Sequence, residues 1–345
     1  MILERFKKVK GLEFNRDIRP TNEQLQFFQS QLKIVIVRVL TTYSPAFSSY
    51  VANPLLKHTL RRPMPRGYVT EQFPIRATTI EEATVRGNLL YHEDVFLNQL
   101  KKTPEQLCEY AIPTFNDQLT NLRIRSGQIM RARDLNPWTR RECLVLGFGL
   151  FHLCMNLIWA LLHVHRGSLA ATGSLSYFFT LMDKKWLNAE HPDYHTLLSA
   201  LTQILDGILL NAWQHESGHQ DLANYAATKP TAENLLEMAS KILSTHGSPI
   251  IRPEFSEAER DDNSSEDEPS DESDAEHDQP TVPNVPPPTA GRPSEKTPDP
   301  TKDATHQNLR LLTCDLLYVA ELIQAISDGD IGRIEAFLPQ LAMIF

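Results

Sequence analysis

The chain has 345 residues, of which 41% are hydrophobic, and a formal net charge of −9. It is long enough to bury one large core or two ordinary ones. Its four cysteines form no CxxC pair, its most apolar stretch is interrupted by Gly and His, and its first residues lack the apolar segment of a secretory signal. The composition therefore excludes a disulfide-stapled or membrane-spanning protein. It predicts an intracellular protein, nuclear or cytoplasmic, without a membrane partner.

The charge is distributed unevenly along the chain. Residues 253–280 contain thirteen acidic residues and one arginine, whereas residues 1–80 contain thirteen basic residues and five acidic ones. A basic region and an acidic one in the same chain favour contact with a polyanion, or screening of the basic surface by the acidic segment. A solvated surface with a solubilising segment is the alternative.

The first third of the chain is predicted to be helical but interrupted. Thr21 is a plausible N-cap for a helix over residues 20–40, although the β-branched run at 34–37 would also suit a strand. Residues 53–74 contain four prolines, which exclude a continuous helix. Short helical pieces are expected to begin at Thr79 and to cover residues 94–100.

The middle of the chain predicts a small βαβ unit at about 110–167. Apolar runs at 111–115 and 142–149 are typical of strands, and helical patterns follow at 120–133 and 152–165. Alternating strands and helices in this order favour parallel strands. We therefore predict a mostly α-helical α+β fold in which this unit lies within a helical body.

The remainder is predicted to be helical apart from one insert. Helical patterns cover 195–225, 231–243, 309–326 and 330–344, while the acidic and proline-rich insert is too polar to fold. The predicted organisation has four parts: a basic helical part at 1–105, a core at 106–250, a disordered insert at 251–306 and C-terminal helices at 307–345. The last part is too short for a core of its own and should pack back onto the second.

Asp117 is the first candidate for a chemical role, because it follows the first predicted strand. A carboxylate at a strand end can help to hold Mg²⁺ for phosphoryl transfer. The alternative is an N-cap, in which the same carboxylate accepts backbone N–H bonds and needs no metal.

A second candidate is the HExxH pattern His215-Glu216-Ser217-Gly218-His219. On a helix this spacing places both imidazoles on one face, where His215 and His219 could bind Zn²⁺ while the glutamate polarises a water. Glu233, Glu237 or His246 could supply a third ligand. The alternative is a pair of half-buried helix histidines that continue the apolar stripe, and on this interpretation no cofactor is expected.

Basic residues are the third candidate feature. Two groups could contact phosphates on a nucleic acid: Lys57, Arg61, Arg62 and Arg66 in the proline-rich segment, and Arg123 and Arg131 on one broad side of the following helix. Such binding would be electrostatic and sensitive to salt. The histidine set at 152, 163 and 165 favours core or helix-end positions over metal binding.

Several segments resemble a fungal family of unknown function, DUF6589. They cover most of the chain except the insert: Ile112-Pro-Thr-Phe-Asn-Asp-Gln-Leu-Thr-Asn-Leu-Arg-Ile-Arg125, Arg140-Arg-Glu-Cys-Leu-Val-Leu-Gly-Phe-Gly-Leu-Phe-His-Leu153, His165-Arg-Gly167, Glu190-His-Pro-Asp-Tyr-His-Thr-Leu-Leu198, Leu210-Asn-Ala-Trp213, Glu216-Ser-Gly218, Asp315-Leu-Leu-Tyr318 and Gly329-Asp-Ile-Gly-Arg333. The resemblance implies membership of that family but no activity.

The strand–helix layout around Asp117 also resembles the RNase H-like core of eukaryotic transposases. That resemblance implies three metal-binding acids, of which this chain supplies one at Asp117, and it implies further sequence before residue 1 and after Phe345. The chain is therefore expected to be a truncated or degenerate copy. The leading hypothesis is a non-catalytic relative of a mobile-element protein with affinity for nucleic acid. The alternatives are an HExxH zinc hydrolase and a helical protein-interaction module.

Overall fold

A computed structural model describes residues 8, 10–248 and 304–342. Its two strands are β1 (Ile112–Asn116) and β2 (Leu144–Phe148). Its α-helices in chain order are α1 (Asn22–Tyr43), α2 (Val85–Glu93), α3 (Pro104–Cys108), α4 (Gln118–Met130), α5 (Leu150–His165), α6 (Leu175–Leu181), α7 (Tyr194–Ser217), α8 (Leu222–Ala227), α9 (Ala232–His246), α10 (Ala304–Ser327) and α11 (Ile331–Leu341). None of the helices in these ranges is long and apolar enough to cross a membrane. The predicted insert lies outside the described residues except at 304–306, where α10 has already begun.

Helix α1 begins and ends close to its predicted bounds. The Thr21 hydroxyl accepts a hydrogen bond from the Gln24 N–H, and the Gln24 side chain accepts one from the Thr21 N–H. This reciprocal cap satisfies two backbone donors that the first turn leaves without partners. The strand alternative for 34–37 is wrong. All four residues lie in α1 and are buried, because other elements pack around the helix on several sides.

The larger hydrophobic core is built from α1, α5, α7, α9, α10 and α11. Trp213 on α7 is fully buried, and its indole N–H donates to the Ile36 carbonyl of α1 at 3.1 Å. Helix α10 contacts α5, α1 and α7. The C-terminal helices therefore pack on the body, and so does α1, which the sequence had assigned to a separate basic part.

The smaller core lies beneath a two-stranded parallel sheet. Strands β1 and β2 pair from Ile112↔Leu144 to Asn116↔Phe148, as the predicted βαβ unit requires. Leu144 of β2 and Ile124 of α4 are both buried in this core. This small sheet within a largely helical chain confirms the mostly helical α+β fold.

Two predicted helices begin or end elsewhere. Thr84 accepts from the Gly87 N–H and starts α2 at Val85, so the helix predicted from Thr79 is wrong. The helix predicted over 195–225 is interrupted at Gly218, which has φ of +70° and ends α7. Glycine adopts this left-handed conformation without the steric cost of a side chain.

The turn between α10 and α11 holds residues 57–66 in place, and we call these residues the basic segment. The Asp330 carboxylate caps α11 and accepts hydrogen bonds from the backbone N–H groups of Arg61 (2.9 Å) and Arg62 (2.8 Å). A Cβ on Gly332 would lie 2.7 Å from the Arg61 Cβ. The glycine is therefore needed for the close approach of the two segments.

One buried histidine gives this fold a specific dependence on pH. His92 on α2 is 5% exposed, with its ring 6.5 Å from Phe96. Burial, reinforced by the charge of Arg141, lowers the pKa of His92 to about 4. Because the unfolded value is about 6.5, the neutral ring contributes its full stability above that pH and loses it as the pH falls towards 4.

We therefore expect the advantage of the native protein over a His92→Gln variant to shrink on acidification. The difference in unfolding free energy should fall by about 1.4 kcal/mol per pH unit between about 6.5 and 4. Urea unfolding of both proteins across this range measures the difference. His58, whose pKa burial lowers to about 3, is present in both proteins and cancels. Parallel pH profiles would contradict the prediction.

Candidate functional site

The carboxyl ends of the two strands form one edge from which two helices begin. Strand β1 leads into α4 and β2 leads into α5. The Gly149 N–H donates to the Asn116 carbonyl at 3.1 Å, and the Asn121 amide donates to the Gly147 carbonyl at 2.9 Å. These bonds hold the starts of both helices beside the strand ends. Ligands of open α/β sheets commonly bind at such an edge.

We call this edge the strand-end site and define it by the following side chains: Phe115, Asp117, Arg123, Phe148, Phe151 and His152. Asp117 caps α4, and its carboxylate accepts from the Thr120 N–H at 2.7 Å. Hydrogen bonding from Thr120, followed by the charges of His152 and Arg123, lowers the pKa of Asp117. The site is therefore built around an ionised carboxylate with two basic side chains nearby.

Asp117 has the geometry of the N-cap that was the alternative to a metal ligand. In the described part of the chain, one group of three or more His, Cys, Asp or Glu side chains has ligand atoms close enough to share an ion, and Asp117 does not belong to it. A role in holding Mg²⁺ would need ligands from elsewhere.

The first turn of α5 supplies backbone donors to the strand-end site. Gly149 occupies the N-cap position and makes no side-chain cap. The first N–H groups of a helix have no partner within the helix, and its dipole favours an anion there. His152 lies in this turn, and the charges of His152 and Arg123 both act on Asp117 at the same edge, so the donors here suit a phosphate group.

Three exposed phenylalanines surround the same edge. The exposed fractions are 72% for Phe115, 45% for Phe148 and 53% for Phe151. Phe115 lies on the outer face of the sheet over Gly147, where a Cβ would come within 2.6 Å of its ring. These rings were not among the site residues predicted from the sequence. The pairing of Phe115 with Gly147 depends on strand register, which the sequence left undetermined.

The basic residues predicted to contact phosphates have different surroundings in the structure. Arg131 pairs with Asp134 at 2.7 Å and is 29% exposed, and its contact with phosphate stays a prediction. Arg61 lies over the Phe27 ring at 4.7 Å, and Arg62 pairs with Glu335. The two remaining residues of the proline-rich group, Lys57 and Arg66, are exposed.

His215 and His219 do not share one face of a helix. His215 is 74% exposed in the last turn of α7, while His219 lies beyond the helix end with its ring stacked on Tyr225 at 5.8 Å. The helical spacing assumed for the HExxH pattern is therefore wrong, because Gly218 ends the helix between the two histidines.

A different group lies at this end of α7, and we call it the His–Glu–His cluster: His215, Glu216 and His246. The Glu216 carboxylate lies 2.7 Å from His246 Nε2 and 3.3 Å from His215 Nδ1. Of the third ligands weighed from the sequence, His246 is the one that the fold brings here. No regular spacing along the sequence links it to His215.

Other residues from the segments that carry the family resemblance have structural roles. His165 at the end of α5 is 2.7 Å from Asp315 on α10, and Asp193 caps α7. Segments far apart in sequence thus meet in the core.

Comparison with known protein families matches nearly all of the chain to one family. A family model described as a family of unknown function, DUF6589, matches residues 7–345. No curated protein matches the chain, and no solved structure does. The matched range contains both cores, the strand-end site and the His–Glu–His cluster. The chain therefore belongs to the DUF6589 family of unknown function.

Proposed function

We propose that this protein binds single-stranded nucleic acid at the strand-end site and is a non-catalytic relative of transposase-like mobile-element proteins. The observation that carries the proposal is the combination of exposed aromatic rings, basic side chains and an uncapped helix start at one sheet edge. Proteins that bind single strands combine stacking rings with cations in this way.

Each part of the site would contact a different part of the strand. Phe115 offers an open ring face on the outer surface of the sheet, on which a base can stack. Arg123 and the first N–H groups of α5 would contact the phosphates. Stacking tolerates any base, so the proposal implies little sequence preference.

Absence of cleavage is part of the same proposal. In-line phosphoryl transfer commonly uses two metal ions held about 3.5–4 Å apart by several carboxylates. Asp117 has its carboxylate engaged by the Thr120 N–H. It lies in no metal-binding group of the described residues. We therefore expect binding without strand scission, with or without added Mg²⁺.

Fluorescence anisotropy with a labelled oligothymidylate of about 20 nucleotides tests the proposal. The variant Phe115→Ala should weaken binding about tenfold, because one stacked base is worth about 1–3 kcal/mol. The variant Arg123→Ala should reduce the slope of log affinity against log salt by about 0.7, the value for one phosphate on a single strand.

A matched control lies on the same helix. Arg125 is exposed and points about 200° away from Arg123 around the axis of α4, so Arg125→Ala should leave the affinity nearly unchanged. Equal losses for Arg123→Ala and Arg125→Ala would mean non-specific attraction. No binding at low salt would reject the proposal and favour the helical protein-interaction module.

A further inference from the structure

Three helix ends meet at the carboxyl end of α7, opposite the end that Asp193 caps. His215 and Glu216 belong to the last turn of α7, and His246 is the last residue of α9. His306 lies in the first turn of α10, with its ring centroid 6.5 Å from that of His246. The His–Glu–His cluster thus joins α7 to α9, and the start of α10, which follows residues 249–303, lies beside it.

The spacing of the cluster suits a tetrahedral metal ion. One ligand atom each from His215, Glu216 and His246 can be chosen so that all lie within 4.8 Å of one another. Ligands about 2.0–2.1 Å from a tetrahedral Zn²⁺ lie about 3.3 Å apart. The His215–Glu216 distance is already 3.3 Å, and the His246–Glu216 distance of 2.7 Å would lengthen slightly.

The electrostatic surroundings favour a cation. Helices α7 and α9 both end here, and the carboxyl end of a helix carries partial negative charge. These two ends outnumber the single amino end of α10, which carries partial positive charge. Only 6% of the Glu216 side chain is exposed, and its carboxylate has three nitrogen partners: Lys241 Nζ at 2.9 Å, His246 Nε2 at 2.7 Å and His215 Nδ1 at 3.3 Å.

Lys241 is the cation that Glu216 now binds, with its ammonium nitrogen 2.9 Å from the second carboxylate oxygen. Its side chain is 58% exposed, so it can move into solvent at little cost. A divalent ion would offer Glu216 a stronger partner and would also use the histidine nitrogens, which Lys241 cannot satisfy.

We propose that the His–Glu–His cluster is a Zn²⁺ site whose protein ligands are His215, Glu216 and His246, with His306 beside the fourth position. The ion would tie α7 and α9 together next to the start of α10. This role is structural and goes beyond nucleic-acid binding, since none of these residues belongs to the strand-end site.

Zinc titration of the metal-free full-length protein tests the site. We expect one Zn²⁺ per chain and a rise in Tm with zinc concentration, because an ion that binds only the folded state stabilises it. Co²⁺ should give the absorption bands of a tetrahedral complex. The variant His246→Ala should weaken zinc binding at least about 100-fold, since even loss of a residue that only orients a ligand costs about 10–100-fold.

Two variants separate this site from the HExxH pattern. The variant His215→Ala, at an exposed position, should retain the fold and lose tight zinc binding. The matched control His219→Ala should bind zinc like the native protein. The variant Lys241→Gln should bind zinc more tightly, because it removes the competing cation.

Three results of these titrations would overturn the zinc site. Binding that survives both His215→Ala and His246→Ala, or that is lost in His219→Ala, would overturn it. So would the absence of stoichiometric zinc in the native protein. Because the oligonucleotide assay uses other residues, failure of the zinc site leaves the proposed function untouched.

Discussion

The variant Arg333→Met is expected to lower the free energy of unfolding by about 3–5 kcal/mol above neutral pH, where the carboxyl group of Glu321 is ionised in the native protein. Arg333 is fully buried on α11 and forms two hydrogen bonds with Glu321 of α10, at 3.0 and 2.9 Å. Removing the guanidinium leaves a carboxylate that is 3% exposed without its main counter-ion. Chemical unfolding of the native protein and the variant measures the loss.

The pH dependence of that loss identifies its cause. Burial raises the pKa of Glu321 to about 7 even though Arg333 favours the charged form. Without Arg333 the carboxyl should take up a proton more readily. The destabilisation should therefore grow as the pH rises above about 7 and level off below it, where the carboxyl group is protonated in both folded proteins.

A double variant provides the control. Replacing both Arg333 and Glu321 with methionine removes the unpaired charge, so it should recover much of the stability lost in Arg333→Met. A double variant no more stable than Arg333→Met would show that lost packing, and not the buried charge, dominates.

The variant Asp330→Ala is expected to cost about 3 kcal/mol, more than an ordinary helix cap. Asp330 is fully buried, and its carboxylate accepts from the backbone N–H groups of Arg61, Arg62, Gly332 and Arg333. Alanine leaves these donors without their acceptor and releases the basic segment from the α10–α11 turn. Thermal unfolding measures the first effect.

Release of the basic segment from Asp330 can be measured separately from the loss of stability. Limited proteolysis should cut the Asp330→Ala variant sooner within residues 57–66 than the native protein. The matched control is Asp193→Ala, which removes the exposed cap of α7, a hydrogen bond of 2.9 Å to the Thr196 N–H. That change should cost about 1 kcal/mol and leave the cleavage pattern unchanged. Equal costs for the two variants would contradict the special role of Asp330.

Much of the local structure was predictable because it depends on near neighbours in sequence. Thr21 and Thr231 cap their helices with side chains that reach three residues ahead. The order of strands and helices in the βαβ unit follows from hydrophobic periodicity, which acts over one or two turns. The helix break at Gly218 was missed because the helical spacing was extended through His215 and His219, although glycine itself is a signal for a helix end.

The sequence by itself determined the helical class, the parallel pair of strands and the presence of an acid at the end of β1. Only the tertiary structure decided which side chains meet: Phe115 with Gly147 across the strand register, Glu216 with His246 between helix ends, and Asp330 with the backbone of Arg61 and Arg62. The physical reason is the distance along the sequence over which each interaction acts. Caps and periodicity act within a few residues, whereas a site forms when packing of the core brings distant segments within hydrogen-bonding distance.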